Sequence, residues 1–184
     1  EYNFFSYNLK SKVNTLISNL RKEIQTHGKI SSIIRYHDKF FIGFLMDGLL
    51  ILEKRDDSQE YDIQQIPINS GVFCMIKDHF QDAIWIGTDK GLALFNPHKE
   101  QFITFQNQQE NPNSLLSNQI NDIGESRDGK LWVCAHMGGV SILDLNDNVF
   151  TSPENMHFQN IRVTNDLHGI SSPNAKCFLQ DSFG

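Results

Sequence analysis

One motif occurs three times in this chain and restricts the fold more than any other feature. Phe40-Phe41-Ile42-Gly43 leads to Gly48-Leu49-Leu50-Ile51-Leu52, Ile84-Trp85-Ile86-Gly87 to Gly91-Leu92-Ala93-Leu94-Phe95, and Leu131-Trp132-Val133-Cys134 to Gly139-Val140-Ser141-Ile142-Leu143. The aromatic anchors Phe41, Trp85 and Trp132 lie 44 residues (41 to 85) and 47 residues (85 to 132) apart. A period of roughly 40 to 50 residues is that of β-propeller blades, each a sheet of four short antiparallel strands. The expected fold is therefore all-β, with three complete blades.

Each blade reads the same way. An apolar stretch precedes the anchor (Ile30 to Tyr36, Val72 to Asp78, Ile120 to Glu125) and supplies the first strand. The anchor strand and the Gly-led strand form a hairpin, with Gly48, Gly91 and Gly139 available for positive φ. Fourth strands are expected at Tyr61 to Ile66, Gln101 to Phe105 and Phe158 to Val163, where apolar residues alternate. The polar linker Gln106 to Asn118 suits a surface crossing. Sheets of a propeller bury both faces against neighbouring blades, so the three anchors are expected in the core.

The ends predict single strands of two flanking blades, at Asn3 to Tyr7 and Lys176 to Gln180. Between the first of these and the first whole blade, Val13, Leu16, Ile17, Leu20 and Ile24 fall on one helical face. This spacing predicts a helical insertion over Val13–Thr26, ended by Gly28. The expected divisions are 1–29, holding the preceding blade's last strand and the insertion; three blades at 30–69, 70–118 and 119–172; and 173–184, the first strand of the next blade. Propellers close with about four to eight blades, so the chain is expected to be part of a larger ring.

Composition narrows the function. The chain has 184 residues, 39% of them hydrophobic, which permits a packed core. A net charge of −6 with no run among the 16 Lys and Arg excludes a general nucleic-acid binder. No stretch reaches the roughly 20 apolar residues of a membrane helix. The three cysteines read as small buried residues, and no Cys or His stands at metal-ligand spacing, so neither metal nor cofactor is expected.

Motifs of catalysis are missing from the sequence: there is no nucleophile elbow, phosphate loop or zinc-protease helix. Ser126-Arg127-Asp128-Gly129-Lys130-Leu131-Trp132 is similar to the Asp box of sialidases, a structural turn. Loops carry function on rigid scaffolds, so the turns between second and third strands supply the candidate ligand-binding residues Asp89, Lys90 and His136.

The units Asp78 to Pro97 and Glu125 to Leu145, joined by Asn111-Pro112-Asn113-Ser114-Leu115, resemble the regulator-propeller repeats of Bacteroides-type hybrid two-component sensors. The resemblance rests on Leu or Ile before Trp, Gly-Thr after it, Gly-Leu opening the next strand, and the Asn-Pro-Asn-Ser-Leu run. Phe41 in place of Trp and Cys134-Ala135 in place of Gly-Thr depart from the pattern. The resemblance implies a periplasmic sensor segment, itself not an enzyme, in a parent carrying a histidine kinase. It implies an oligosaccharide ligand, contacts with the rest of the propeller and with a second propeller, a homodimeric parent, and control of polysaccharide-use genes. Two rival readings are a propeller enzyme resembling lyases, needing a His and an acid converging on the central shaft, and a protein-interaction scaffold.

Overall fold

The computed structural model describes residues 5–8, 13–16, 26–55, 60–145, 149–163 and 169–181. The chain divides into two compact units, 1–71 and 72–184. In the first unit, β1 (Phe5–Asn8) pairs antiparallel with β2 (Val13–Leu16), from Phe5 opposite Leu16 to Asn8 opposite Val13. A four-stranded meander follows: β3 (Ile30–Tyr36), β4 (Lys39–Phe44), β5 (Leu49–Lys54) and β6 (Tyr61–Ile66).

The expected helix over Val13–Thr26 is corrected at its start. Val13 and Thr15 are β-branched, and β1 offers a partner ladder, so pairing overrides the apolar spacing that read as helical. Thr26 and His27 are helical, followed by Gly28 at φ 90°, while 17–25 lie outside the described residues. The expected lone strand at Asn3 to Tyr7 is instead half of a two-stranded ladder.

The second unit holds two further meanders. One is β7 (Val72–Lys77), β8 (Ile84–Thr88), β9 (Gly91–Asn96) and β10 (Gln101–Phe105); the other is β11 (Ile120–Glu125), β12 (Lys130–Ala135), β13 (Gly139–Asp144) and β14 (Gln159–Ile161). β14 is shorter than the expected strand Phe158 to Val163, and Val163 forms a parallel bridge with Ile170. Residues 176–180 form no strand ladder.

The first two sheets show the burial expected of blades, and the third shows it in part. The middle strands are buried on both faces: every residue of β8 is buried, as are the last four residues of β4 and the first five of β9. Outer strands β6 and β10 alternate toward solvent. In the first sheet Ile42, Phe44, Leu50, Leu52 and Tyr61 form one core cluster. In the second unit a single cluster runs from Trp85, Leu92 and Leu94 across Ile120 and Ile123 to Leu131, Val133 and Leu143, so the second and third sheets share one core. A side chain at Gly87 would collide with Cys74 Sγ and Ile120 Cγ2, which explains the glycine at this inter-sheet crossing. Leu115, from the polar linker, is sunk into the same core.

Phe41 and Trp85 are fully buried, whereas Trp132 is only half-buried. Its outer face is covered by Phe178, stacked at 5.3 Å between ring centroids. Gly124 makes room for that ring, because a Cβ there would strike it. The segment is further held by the Phe178 N–H to Asp122 Oδ2, at 3.0 Å.

Candidate ligand-reading rim

Each first strand carries a bulge at its second residue: Ser31, Phe73 and Asn121. A bulge turns its side chain away from the ladder's regular faces, and here it does so beside the turn between second and third strands. Those turns are Leu45–Asp47, Asp89–Lys90 and His136–Gly138.

The turns are fastened at both ends to neighbouring backbone. Leu45 N–H donates to Lys29 O at 2.9 Å, and His136 N–H to Gln119 O at 2.8 Å, each acceptor lying just before the blade's own first strand. Gly48 N–H donates to Ser70 O at 3.2 Å and Gly139 N–H to Pro173 O at 2.8 Å, joining the turn to the chain that follows the blade. Gly139 has φ 92°, and a Cβ there would lie 2.5 Å from Ile161 O, so the position excludes any side chain. In the second sheet Thr88 closes the turn instead: its hydroxyl donates to Gly91 O at 2.8 Å and accepts from Lys90 N–H at 3.0 Å.

Asp89 and Lys90 are exposed on their turn. The Lys90 carbonyl accepts from Gln106 Nε2 at 2.9 Å, which ties the turn to the start of the polar linker. His136 is half-buried, with Nδ1 3.1 Å from Asn174 Oδ1. Asn174 also accepts from Asn121 Nδ2 at 3.2 Å. The candidates thus occupy equivalent turns of two sheets that share a core, and His136 is joined to two asparagines that motif reading passed over. The signal for Asn121 was a polar residue at the start of an apolar strand; Asn174 lay outside the repeats. Next to His136, Met137 sits in the left-handed region at φ 56° with its side chain 65% exposed.

In the first unit the Leu45–Asp47 turn is anchored by a buried histidine. His27 Nδ1 lies 2.7 Å from Asp47 Oδ2, and the ring packs on Phe44 at 5.2 Å.

At the opposite end of β12 the Asp-box-like turn behaves as a structural element. Ser126 Oγ lies 2.5 Å from Asp128 Oδ1, Lys130 Nζ is 2.7 Å from Asp128 Oδ2, and Gly129 has φ 76°. The Lys130 and Ser126 hydrogen bonds hold the Asp128 carboxyl below the usual carboxylate range. Beside this turn lies a hollow of about 720 Å³, lined by Ser126, Arg127, Asp128, Trp132 and residues 178–181. Burial first, then Asp122, pushes the Cys74 thiol up to about 12 and the Cys134 thiol up to about 11. Thiols so raised stay protonated and are poor nucleophiles at neutral pH. The His136 ring Nδ1 lies within hydrogen-bond reach of the Asn174 side-chain amide, while its backbone N–H donates to the Gln119 carbonyl.

No protein-family model and no curated protein matches the chain. Among solved structures, the extracellular domain of BT3049 from B. thetaiotaomicron, assigned to a hybrid two-component system, is 28% identical with a TM-score of 0.68, covering 97% of this chain and 21% of that one. The extracellular domain of BT4673 from the same organism is 19% identical at the same TM-score of 0.68, covering 89% of this chain and 23% of its own. A lactonase-like protein from Bacteroides uniformis, at 16% identity and a TM-score of 0.51 over 85% of this chain and 49% of that one, shares the fold alone. The chain thus spans about a fifth of the length of the extracellular domains it resembles. It is a run of propeller blades similar to those of the extracellular domains of Bacteroides hybrid two-component systems, as its repeats imply.

Proposed function

We propose that this chain is a segment of a periplasmic, ligand-sensing propeller in a hybrid two-component signalling protein, and that its ligand is an oligosaccharide released from polysaccharide breakdown. The likeness of 97% of the chain to the BT3049 extracellular domain at 28% identity carries this reading. The segment binds and does not catalyse; the kinase belongs to the parent, which acts as a homodimer and places a second propeller beside this one. A ligand that binds one arrangement of the paired sensor domains more tightly shifts their equilibrium and so the kinase, whereas equal affinity for both would signal nothing.

Asp89, Lys90 and His136 are the proposed contacts, because they stand on turns whose backbone is fastened independently of their side chains. The test is calorimetric titration of the protein with a panel of oligosaccharides, paired with a reporter of gene activation in the full-length parent. Alanine at each position is expected to weaken binding about 2- to 10-fold, the loss of one hydrogen bond, with melting unchanged. Normal signalling by all three variants would move the site to other blades.

A further inference from the structure

The chain beside the third sheet's turn is held in place on both sides. Gly139 N–H donates to Pro173 O at 2.8 Å and Asn174 N–H to Ser172 Oγ at 3.2 Å, so Asn174 is kept against the turn that carries His136. Asn121 reaches Asn174 from the bulge of β11. The first sheet spends its bulge residue differently: Ser31 Oγ donates to Gly43 O at 3.0 Å, back onto its own sheet.

A backbone carbonyl can only accept, and this fixes the hydrogens of the cluster one after another. Asn121 Nδ2 lies 2.6 Å from Ala175 O, so the NH2 end of Asn121 faces this segment. Its other hydrogen goes to Asn174 at 3.2 Å, so the Asn174 atom facing it is the oxygen; the flipped amide would set two donors against each other. That oxygen lies 3.1 Å from His136 Nδ1, which must carry a hydrogen to bond it. The neutral ring then keeps its lone pair on Nε2, on the side turned away from Asn174. Nε2 meets no described residue and is open to solvent: the side-chain atoms both buried and unpaired among the described residues are Gln81 Oε1 and Asn160 Oδ1.

We infer that Asn121 and Asn174 are positioning residues that make His136 a hydrogen-bond acceptor at the rim, so that the ligand group it selects is a donor. The two asparagines act through the His136 ring. The inference rests on the sensing reading above, in which His136 is a contact. A sugar hydroxyl donates to Nε2, whereas an ionised carboxylate or sulfate there would set lone pair against lone pair.

Long-range ¹H–¹⁵N NMR at about pH 8.5, some two units above the ordinary histidine value of about 6.5, reads the tautomer of the neutral ring directly. The Nδ1–H form is expected for the wild type, and the Nε2–H form overturns the inference whatever the protein binds. Asn174→Ala removes the acceptor and Asn121→Ala frees the Asn174 amide to turn, so both are expected to admit the Nε2–H form; a tautomer unchanged in either overturns the inference. Asn174→Asp, which keeps an oxygen in place, is expected to retain Nδ1–H. At saturation with whichever oligosaccharide of the panel binds the wild type, the Nε2 resonance is expected to shift while Nδ1 stays protonated. An Nε2 resonance that does not move overturns the inference and leaves the sensing reading standing. By calorimetry the two alanine variants are expected to weaken binding about 3- to 10-fold, and full affinity in both overturns the inference. No binding by the wild type to any member of the panel overturns the sensing reading and with it the ligand group assigned to His136, while the tautomer remains decided by the first measurement.

Discussion

Asp78 is the polar centre of the second sheet, and its removal offers a quantitative test of why the anchor of this blade is tryptophan. The residue is 7% exposed. Its Oδ1 accepts from the N–H groups of Phe80 (2.7 Å) and Gln81 (2.8 Å), and its Oδ2 from Trp85 Nε1 (2.8 Å) and Gln81 Nε2 (3.2 Å). The indole is wholly buried, so without Asp78 its N–H has no water to turn to, at a cost of about 1–3 kcal/mol. The turn is partly open to solvent, with Phe80 53% exposed, so each lost turn bond is worth about 0.5–1 kcal/mol. With the indole bond and three turn bonds lost, Asp78→Ala is therefore expected to destabilise by about 2.5–6 kcal/mol.

A double-mutant cycle isolates the indole bond. Trp85→Phe removes the N–H, so Asp78→Ala in that background should cost less, with a coupling of about 1–3 kcal/mol. Urea unfolding followed by far-UV circular dichroism measures all four proteins without depending on the tryptophan that is changed. Additivity within about 0.5 kcal/mol would refute the reasoning. The chain contains its own comparisons. Where the anchor is Phe41, with no N–H to satisfy, the preceding turn is the tight pair His37–Asp38 and no Asp78 counterpart accepts from the ring. Where it is the half-buried Trp132, a neutral Ser126 Oγ at 3.2 Å suffices.

Gly124→Ala should displace the Phe178 ring, exposing Trp132; a red shift of its emission and faster proteolysis at Lys176 are expected, and unchanged emission would show that the ring can shift without losing its seat. The cysteines should divide by exposure: at pH 8, labelling of exposed Cys177 is expected to be rapid and of half-buried Cys74 slower, while buried Cys134 reacts only on unfolding. Because the folded Cys74 keeps its proton up to about 12 against an ordinary 9.0, the unfolded chain binds fewer protons between these values and stability falls as pH rises through that window; Cys74→Ala should flatten this alkaline slope in urea melts.

The repeated anchors and glycines made three sheets legible because each blade solves the same local problem. A strand buried on both faces needs continuous apolar residues, as in β8, and the turn after it needs a residue tolerant of positive φ. Val13–Leu16 was misread because the spacing of Val13, Leu16 and Ile17 suits one face of a helix, and only the availability of β1 as a partner decides against it. Half-burial of Trp132 was equally hidden, since the motif reports what a blade offers its neighbour and not how fully that neighbour covers it. At the rim, His136 was visible as a turn residue. Asn121 and Asn174 were not, because they meet it through a bulge and a segment 53 residues along from Asn121.

The same geometry separates what may vary in such a blade from what may not. Backbone N–H groups at both ends of the His136 turn are spent on Gln119 and Pro173, and Gly139 admits no side chain, so the path of the turn is set by main-chain bonds. Side chains between those fixed points contribute little to the shared core, which draws instead on Trp85, Ile123, Leu131 and Val133. Under the proposed sensing role, changes at residues 89, 90 or 136 would therefore alter what is bound while the sheets stay intact. Changes at the anchors would alter every blade contact at once. If the proposed role holds, a scaffold built this way would let one repeated fold serve different ligands, with specificity held in the turn side chains rather than in the blade core.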